Sequence, residues 1–464
     1  MSSYKSSISI KSLFHFFKQS LSGENQDYTT GSIRKAVFLL AIPMILEMCM
    51  ESVFAVVDIF FVGKIGNAAV ATVGLTESVL TIVYSVAVGL SMAATAMVAR
   101  RIGEKNPEEA SRSAVQAIVI ALIITVIVSI VGVLFSADIL KIMGASKDVV
   151  ALGASYTKIV FSGSIVIMLL FLINGIFRGA GNASIAMWSL WIANGCNIIL
   201  CPILIHYYGL RGAAIATTIG RGVGVCYQLY YLLNGNGVIR ILKKYFIPDL
   251  AVIKSLINIA WTGTFQFLIG SASWIVMIRI ISKFGDDTIA GYQVAIRILL
   301  FFLLPAWGMS NAAATLVGQN LGAQQPLRAE QSVWTTAKYN AIFMAFVSVL
   351  FLVAAKQIVG FINHDVAVEA VATQALRIVS LGYIFYGVGM VMTNAFNGAG
   401  DTKTPTIINL FCFWAFQIPF AYLLAITFNV GAKGVFIAII TTETLVSIIA
   451  FILFKKGNWK KIKI

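Results

Sequence analysis

Long apolar runs alternate with short polar breaks from Ala36 to Phe454. Each run holds about twenty residues, enough for a helix to cross a bilayer core of roughly 30 Å. The breaks carry Gly, Pro and charged residues. This pattern predicts twelve helices, near 37–62, 72–98, 114–136, 156–177, 184–206, 211–233, 256–282, 290–317, 333–355, 374–396, 406–428 and 432–454. Backbone polar groups cannot stay unpaired in hydrocarbon, which makes helices the natural state of such runs. The short alternating pattern of a membrane barrel is missing.

The pattern also repeats, at an offset of 219 residues. Gly66, Gly89, Gly103 and Pro107 recur as Gly285, Gly308, Gly322 and Pro326. Gly89–Val98 (GLSMAATAMV) matches Gly308–Val317 (GMSNAAATLV), and Phe177–Gly181 (FRGAG) matches Phe396–Gly400 (FNGAG). Gly209–Ala216 (GLRGAAIA) matches Gly431–Ala438 (GAKGVFIA) at an offset of 222. Six helices thus occur twice, and six is even, so both copies enter the membrane in the same direction. The expected fold class is an all-α integral membrane protein, with about twelve transmembrane helices in two pseudo-symmetric six-helix lobes. The expected divisions are a cytoplasmic N-terminal segment (1–35), an N-lobe (36–233), a cytoplasmic linker (234–255), a C-lobe (256–454) and a basic cytoplasmic tail (455–464). The basic linker suits a helix lying on the membrane surface. Transporters built from such repeats place their substrate between the halves near the midplane.

Composition agrees. Of 464 residues, 59% are hydrophobic and 11% charged, against ~25% charged in soluble domains. The net charge of +15 would suggest nucleic acid in a soluble protein. Here Lys and Arg gather in the loops on one side. With both termini inside, the inside segments hold twenty-one of them and the outside loops seven. The expected location is therefore the cell (inner) membrane, multi-pass, with both termini cytoplasmic and no nucleic-acid partner. Met1–Thr30 carries no removable signal peptide pattern. Cys49, Cys196, Cys201, Cys226 and Cys412 lie in apolar runs without metal-ligand spacing and read as packing residues.

The first long helix carries the strongest chemical signal: Glu47, Glu51 and Asp58 within Pro43–Gly63. At ~100° per residue, Glu51 lies about 40° and Asp58 about 20° from Glu47, so all three share one face over roughly 16 Å. Intramembrane carboxylates are costly and face a cavity or a partner. Apolar surroundings disfavour a charged carboxylate, so such a group can exchange protons near neutrality; polar ligands can instead let it hold a cation. Structural ion pairs within the bundle are the competing explanation, and Glu47, near the helix start, is the weakest candidate. In the fifth helix Asn197 and Cys201 are one turn apart, with Asn194 nearby, and Thr217 and Thr218 open the sixth. Their oxygens suit a small hard cation, or plain interhelical hydrogen bonds.

The other intramembrane charges are Glu77, Arg221, Arg279, Arg297, Arg377 and Glu443. Arg221 and Glu443 are equivalent at the 222 offset, and Glu77 corresponds to Ile296 beside Arg297. Opposite charges at equivalent places could pair between the halves. Trp274, Met277, Phe265 and Tyr292 could line an apolar cavity. No phosphate loop, nucleophile elbow or paired-histidine motif is present, and His15, His206 and His364 are the only histidines. An enzyme and a resident cofactor are not expected.

Three features resemble the multidrug and toxin extrusion family along about residues 35–455. They are Pro43 with Val57–Gly63 (VDIFFVG), the Phe177–Gly181 turn with its copy Phe396–Thr402 (FNGAGDT), and Asn197–Pro202 (NIILCP) followed by Gly212–Thr217 (GAAIAT). The resemblance implies a V-shaped pair of six-helix lobes exporting organic cations and other amphipathic compounds, driven by inward sodium or protons. It maps the family's N-lobe site onto Asp58, Asn197 and Thr217, with Cys201 where the family has an aspartate; Glu51 is a substitute acid. Ile269 and Tyr386 stand where one bacterial branch has carboxylates. The chain is thus closer to the branch related to the DNA-damage-inducible F protein, with Pro43 as a hinge and a proton as first choice of coupling ion. Sodium at Asp58, Asn197 and Thr217 is the second.

The expectation is antiport by a monomer acting on small amphipathic or cationic substrates among membrane lipids. Asp58, Glu51, Asn197, Thr217 and Cys201 are the coupling candidates, and Glu47, Glu77, Asn194 and Arg297 the secondary ones. The alternative is a lipid-linked sugar flippase or polysaccharide exporter of the same superfamily, in which extra helices and a cationic cavity are common.

Overall fold

The computed structural model describes residues 10–23, 26–235 and 237–464. Lys5, the start of the expected 1–35 segment and one residue of the expected linker lie outside the described residues. Among the described residues there is no strand; the fold is all-α and multi-pass.

A short helix α1 (Ile10–Leu21) precedes the first long one, α2 (Ile33–Gly63). The first half continues with α3 (Asn67–Gly103), α4 (Pro107–Leu134), α5 (Ser136–Ile142), α6 (Lys147–Ser162), α7 (Ser164–Gly179), α8 (Ala183–Tyr208) and α9 (Leu210–Leu233). The second half holds α10 (Leu250–Ile281), α11 (Asp286–Gly322), α12 (Pro326–Ile362), α13 (Val366–Ser380), α14 (Tyr383–Ala399), α15 (Lys403–Thr427) and α16 (Ala432–Lys456). Local signals set the starts. Pro107 and Pro326 occupy first helical positions, where a missing N–H costs nothing. The Asp249 and Asp365 carboxylates accept backbone N–H bonds that open α10 and α13.

Among the described residues nine helices are long and apolar enough to cross a membrane, and two bent pairs raise this to eleven. The bent pairs are α6–α7, with a 42° break around Gly163, and α13–α14, with a 60° break at Leu381 and Gly382. The expected spans 156–177 and 374–396 run straight through these breaks, where only the short stretches Ser162–Ser164 (SGS) and Ser380–Gly382 (SLG) interrupt the apolar runs. The one expected span not counted among these eleven, the sixth (211–233), is α9; Arg211, Arg221, Gln228 and several glycines make it more polar than the rest. Helix α15 widens into π-helical turns at Leu410–Gln417 and Leu423–Thr427. The expected surface helix in the linker is a single 3₁₀ turn, Lys243–Phe246, between breakers Gly237 and Pro248. This turn is held to α4, where Gln116 donates to the Tyr245 and Ile247 carbonyls at 2.6 and 2.9 Å.

The repeat is visible in the packing. Helix α3 lies on α10, α11 on α2, and α3 crosses α11. A Cβ at Gly103 would sit 1.9 Å from the Gln319 carbonyl oxygen, and one at Gly322 would sit 2.1 Å from that of Arg100. These contacts are each other's image at the 219 offset. Gly89 likewise meets Ala260 and Thr264 of α10, as Gly308 meets Met44 and Ile45 of α2. Small residues at these crossings let backbones touch where lipid offers no hydrophobic drive.

Both chain ends bridge the halves at the end where α3 and α11 finish. Asp27 pairs with Lys105 at 2.7 Å, and the Tyr28 hydroxyl donates to the Gly181 carbonyl at 3.2 Å. From the second half, Arg328 donates to the carbonyls of Tyr28, Thr30 and Gly31. In the tail, Trp459 is buried and stacks on Phe454 at 4.8 Å, and Lys460 pairs with Glu330. The Ile462 and Ile464 oxygens accept from Arg100 and Arg101 of α3 at 3.1 and 3.2 Å.

Candidate functional site

Helix α2 places its three acids at successive levels against α7, α8 and α9. Glu47 is fully buried; its carboxylate accepts from Asn174 and from Arg178, each at 3.1 Å. Arg178 also donates to Ser91 at 3.1 Å, and Asn174 accepts from Ser189 and Gln228. The charges of Glu47 and Arg178 are matched here, while the second carboxylate oxygen of Glu47 is buried without a hydrogen-bond partner.

One turn on, Glu51 accepts from Asn194 at 3.1 Å and lies 3.7 Å from the Arg221 guanidinium. Arg221 is buried and held against aromatic faces, with Phe54 and Tyr84 each at 5.6 Å and Phe171 at 6.0 Å. Its charge reaches Asp58 and Glu77 as well as Glu51. One guanidinium thus pairs with Glu51 and extends its field to two further carboxylates. One carboxylate oxygen of Asp58 is buried without a hydrogen-bond partner. Asp58 neighbours the buried Cys201, and Asn197, one turn before Cys201, donates to the Thr217 hydroxyl at 3.0 Å. Thr217 itself donates to the Ala213 carbonyl at 3.1 Å, while the Asn197 amide oxygen has no partner. Asp58 on α2 and Asn197 on α8 thus each leave one oxygen free. Among the described residues no three His, Cys, Asp or Glu side chains converge as a metal cluster.

Two cavities lie between the halves. One, of about 290 Å³, is lined by Glu47, Glu51, Tyr84, Asn174 and Arg178 on the first-half side. The other, of about 480 Å³, is lined by Gln266, Trp274, Tyr292, Tyr386 and Glu443 on the second-half side. They share Met92, Phe267, Leu304, Trp307, Asn394 and Asn397. Glu47 and Glu51 face this cleft. Asp58 lines neither cavity. Of the four apolar candidates, Trp274 and Tyr292 line a cavity, Met277 is in the second-half core, and Phe265 is exposed.

The second half repeats the frame of the site with different chemistry. Trp191 donates to the Leu46 carbonyl at 3.0 Å, and in the second half Trp414 donates to that of Ile269, one turn beyond the equivalent position, at 3.1 Å. Glu47 and Arg178 are replaced by Gln266 and Asn397, and Arg221 by Glu443. The direct pairing of Arg221 with Glu443 considered above is not made: the ion pair of Arg221 is with Glu51. Glu77 and Arg297 do not pair either; both are exposed, and Glu77 lies in the field of Arg221. Sequence reasoning missed Arg178, counted above as a loop charge, and the amides Gln266 and Asn397. The 219 offset that equates them with Glu47 and Arg178 was the available signal.

The MatE family model matches residues 43–203 and 264–423, covering both copies of the repeat. The chain belongs to the MATE family. It is 24% identical to the probable multidrug resistance protein NorM of Thermotoga maritima over 92% of this chain and 94% of that protein. It is 23% identical to the probable multidrug resistance protein YoeA of Bacillus subtilis, over 94% and 96%. A multidrug resistance MATE transporter in an outward-facing conformation superposes with a TM-score of 0.90 at 25% identity, over 95% of this chain and 99% of that one. MATE structures in straight and bent conformations give 0.89 and 0.88, each at 25% identity and over 94% of this chain and 98% and 99% of theirs. This MATE protein is therefore a membrane transport protein rather than an enzyme: an ion-coupled secondary transporter working by alternating access.

Proposed function

We propose that this MATE protein is an antiporter that exports organic cations and other amphipathic compounds in exchange for protons. The observation that carries the reading is the charge imbalance around Arg221. Glu51, Asp58 and Glu77 share that one guanidinium, so the cluster has room for added positive charge. A proton suits it better than sodium. Cys201 replaces an acid in the sodium shell the resemblance implies, and a thiol is a poor ligand for a hard cation. The same argument favours the branch related to the DNA-damage-inducible F protein.

Residues 36–233 and 256–454 act as N-lobe and C-lobe, joined by the linker, with both termini cytoplasmic in the cell membrane and the chain a monomer. Asp58 takes the proton, and Arg221 relays the change to Glu51 at the cleft. Glu51 then prefers a different arrangement of partners. An ion shifts the balance between inward- and outward-open states only by binding one of them better. The terminal bridges hold the cytoplasmic end shut, and this outward-open state is the one that takes up protons.

The test is export of a fluorescent cation from vesicles under separately imposed proton and sodium gradients. Wild type should respond to the proton gradient, and Asp58→Asn at equal expression should lose that response. Export by Asp58→Asn at the wild-type rate would remove Asp58 from the coupling role, and a response to sodium alone would replace the ion.

A further inference from the structure

We propose that the cavity of the second half is the seat of a monovalent lipophilic organic cation, with Glu443 as its counter-charge and Trp274 and Tyr386 as its aromatic walls. The proposal rests on reading the chain as an exporter of organic cations, and it concerns a site separate from the Asp58 cluster. Glu443 is 8% exposed on α16, inside a membrane-spanning bundle. Among the described residues no ion pair or side-chain hydrogen bond satisfies its carboxylate. Its counterpart Arg221 has Glu51; Glu443 has only the cavity. A buried acid left without a partner is costly, and such groups inside membranes mark ligand paths.

The lining decides what fits. No Lys, Arg or His faces this cavity, and Glu443 is its one acid, so the site favours a single positive charge and rejects anions. Trp274, Tyr292, Trp307 and Tyr386 supply rings on the walls, and aromatic faces attract organic cations. A volume of about 480 Å³ falls in the range of roughly 300–1,000 Å³ that takes drug-sized ligands. Gln266 and Asn397 add unpartnered amide groups, although they are 7% and 3% exposed. They replace the Glu47–Arg178 ion pair of the first half. Buried amides left open beside a cavity can serve ligands of varied shape.

The experiment is equilibrium binding of tetraphenylphosphonium to the full chain in detergent, without any gradient, with neutral triphenylphosphine oxide as the comparison ligand. Glu443→Gln should weaken phosphonium binding at least tenfold and leave the neutral ligand within twofold of wild type. Unchanged phosphonium binding, or equal losses for both ligands, overturns the proposal. If Glu443→Gln elutes as aggregate, Trp274→Leu replaces it. A loss of threefold or more, confined to the cation, supports the seat, and wild-type affinity overturns it. The binding measurement also separates this proposal from antiport. A chain that binds the cation through Glu443 but exchanges it for no proton keeps the seat and loses the coupling reading. A chain that exports without Glu443-dependent binding does the reverse.

Discussion

Arg221 of α9 and Glu443 of α16 occupy equivalent places in the two halves, yet one is enclosed by acids and rings and the other opens on a cavity. Each is balanced within its own half or by what that half binds. Exchanging them should therefore rescue nothing. The double variant Arg221→Glu/Glu443→Arg should export no better than the worse single variant. Independent sites give coupling energies within about 0.5 kcal/mol of zero. Recovery in the double variant, measured by drug sensitivity in a pump-deleted host, would show that the two charges meet during the cycle.

Arg221 and Glu51 should instead behave as a pair. Glu51 keeps its Asn194 bond when Arg221 is lost, but its charge and those of Asp58 and Glu77 then stand unbalanced. Breaking a buried pair by removing one partner costs about 3–5 kcal/mol. Arg221→Met should therefore lower the unfolding temperature in detergent more than the double variant Arg221→Met/Glu51→Gln does. Additive losses would mean that the 3.7 Å contact has no energetic weight.

Much of the fold was legible because membrane helices are written in long runs, and a duplicated sequence writes them twice. The acids of α2 stood out for the same reason: charge is rare in such runs. What was hidden depended on partners. Arg178 reads as a loop charge until α7 is seen to bring it beneath Glu47. Gln266 and Asn397 read as ordinary amides until their first-half images prove to be an ion pair. The breaks around Gly163 and Gly382 left only short marks, Ser-Gly-Ser and Ser-Leu-Gly, inside long apolar runs. Glu47 and Glu51 line the cleft, while Asp58, two turns beyond Glu51 on α2, does not.

The crossing of α3 and α11 makes a symmetric prediction. Gly103 and Gly322 each face the partner helix's backbone at a distance no side chain can accept. Backbone cannot rotate aside as a flexible side chain would. Gly103→Val and Gly322→Val should each cost at least the 1–3 kcal/mol typical of overpacking, about equally at the two sites, and should lower folded yield. Gly63→Val, with nothing within 4 Å of its Cβ position, should be mild. Normal yield for either crossing variant would show that the helices can separate freely there.

The terminal bridges should set how firmly that end stays closed. Burial works to raise the Asp27 carboxyl, but hydrogen bonds from Lys105 and Thr29 outweigh it and hold it down at about 2. A group lowered from 3.8 to about 2 on folding adds stability that is complete above its unfolded value and fades as pH falls between the two. The pair is well exposed, so solvent screening limits Asp27→Asn to under about 1 kcal/mol at pH 7, vanishing near pH 2. Its loss alone should scarcely alter transport. Arg328→Gln removes three bonds to the segment 28–31 at once, and deleting 459–464 removes the contacts to Arg100 and Arg101. Combined, these two changes should leave the chain folded but raise thiol labelling of a cysteine placed at Thr315, a buried position whose hydroxyl donates to the Arg178 carbonyl between the halves. Labelling at the wild-type rate would mean that the α3–α11 crossing alone keeps this end shut, and that the chain ends merely decorate it.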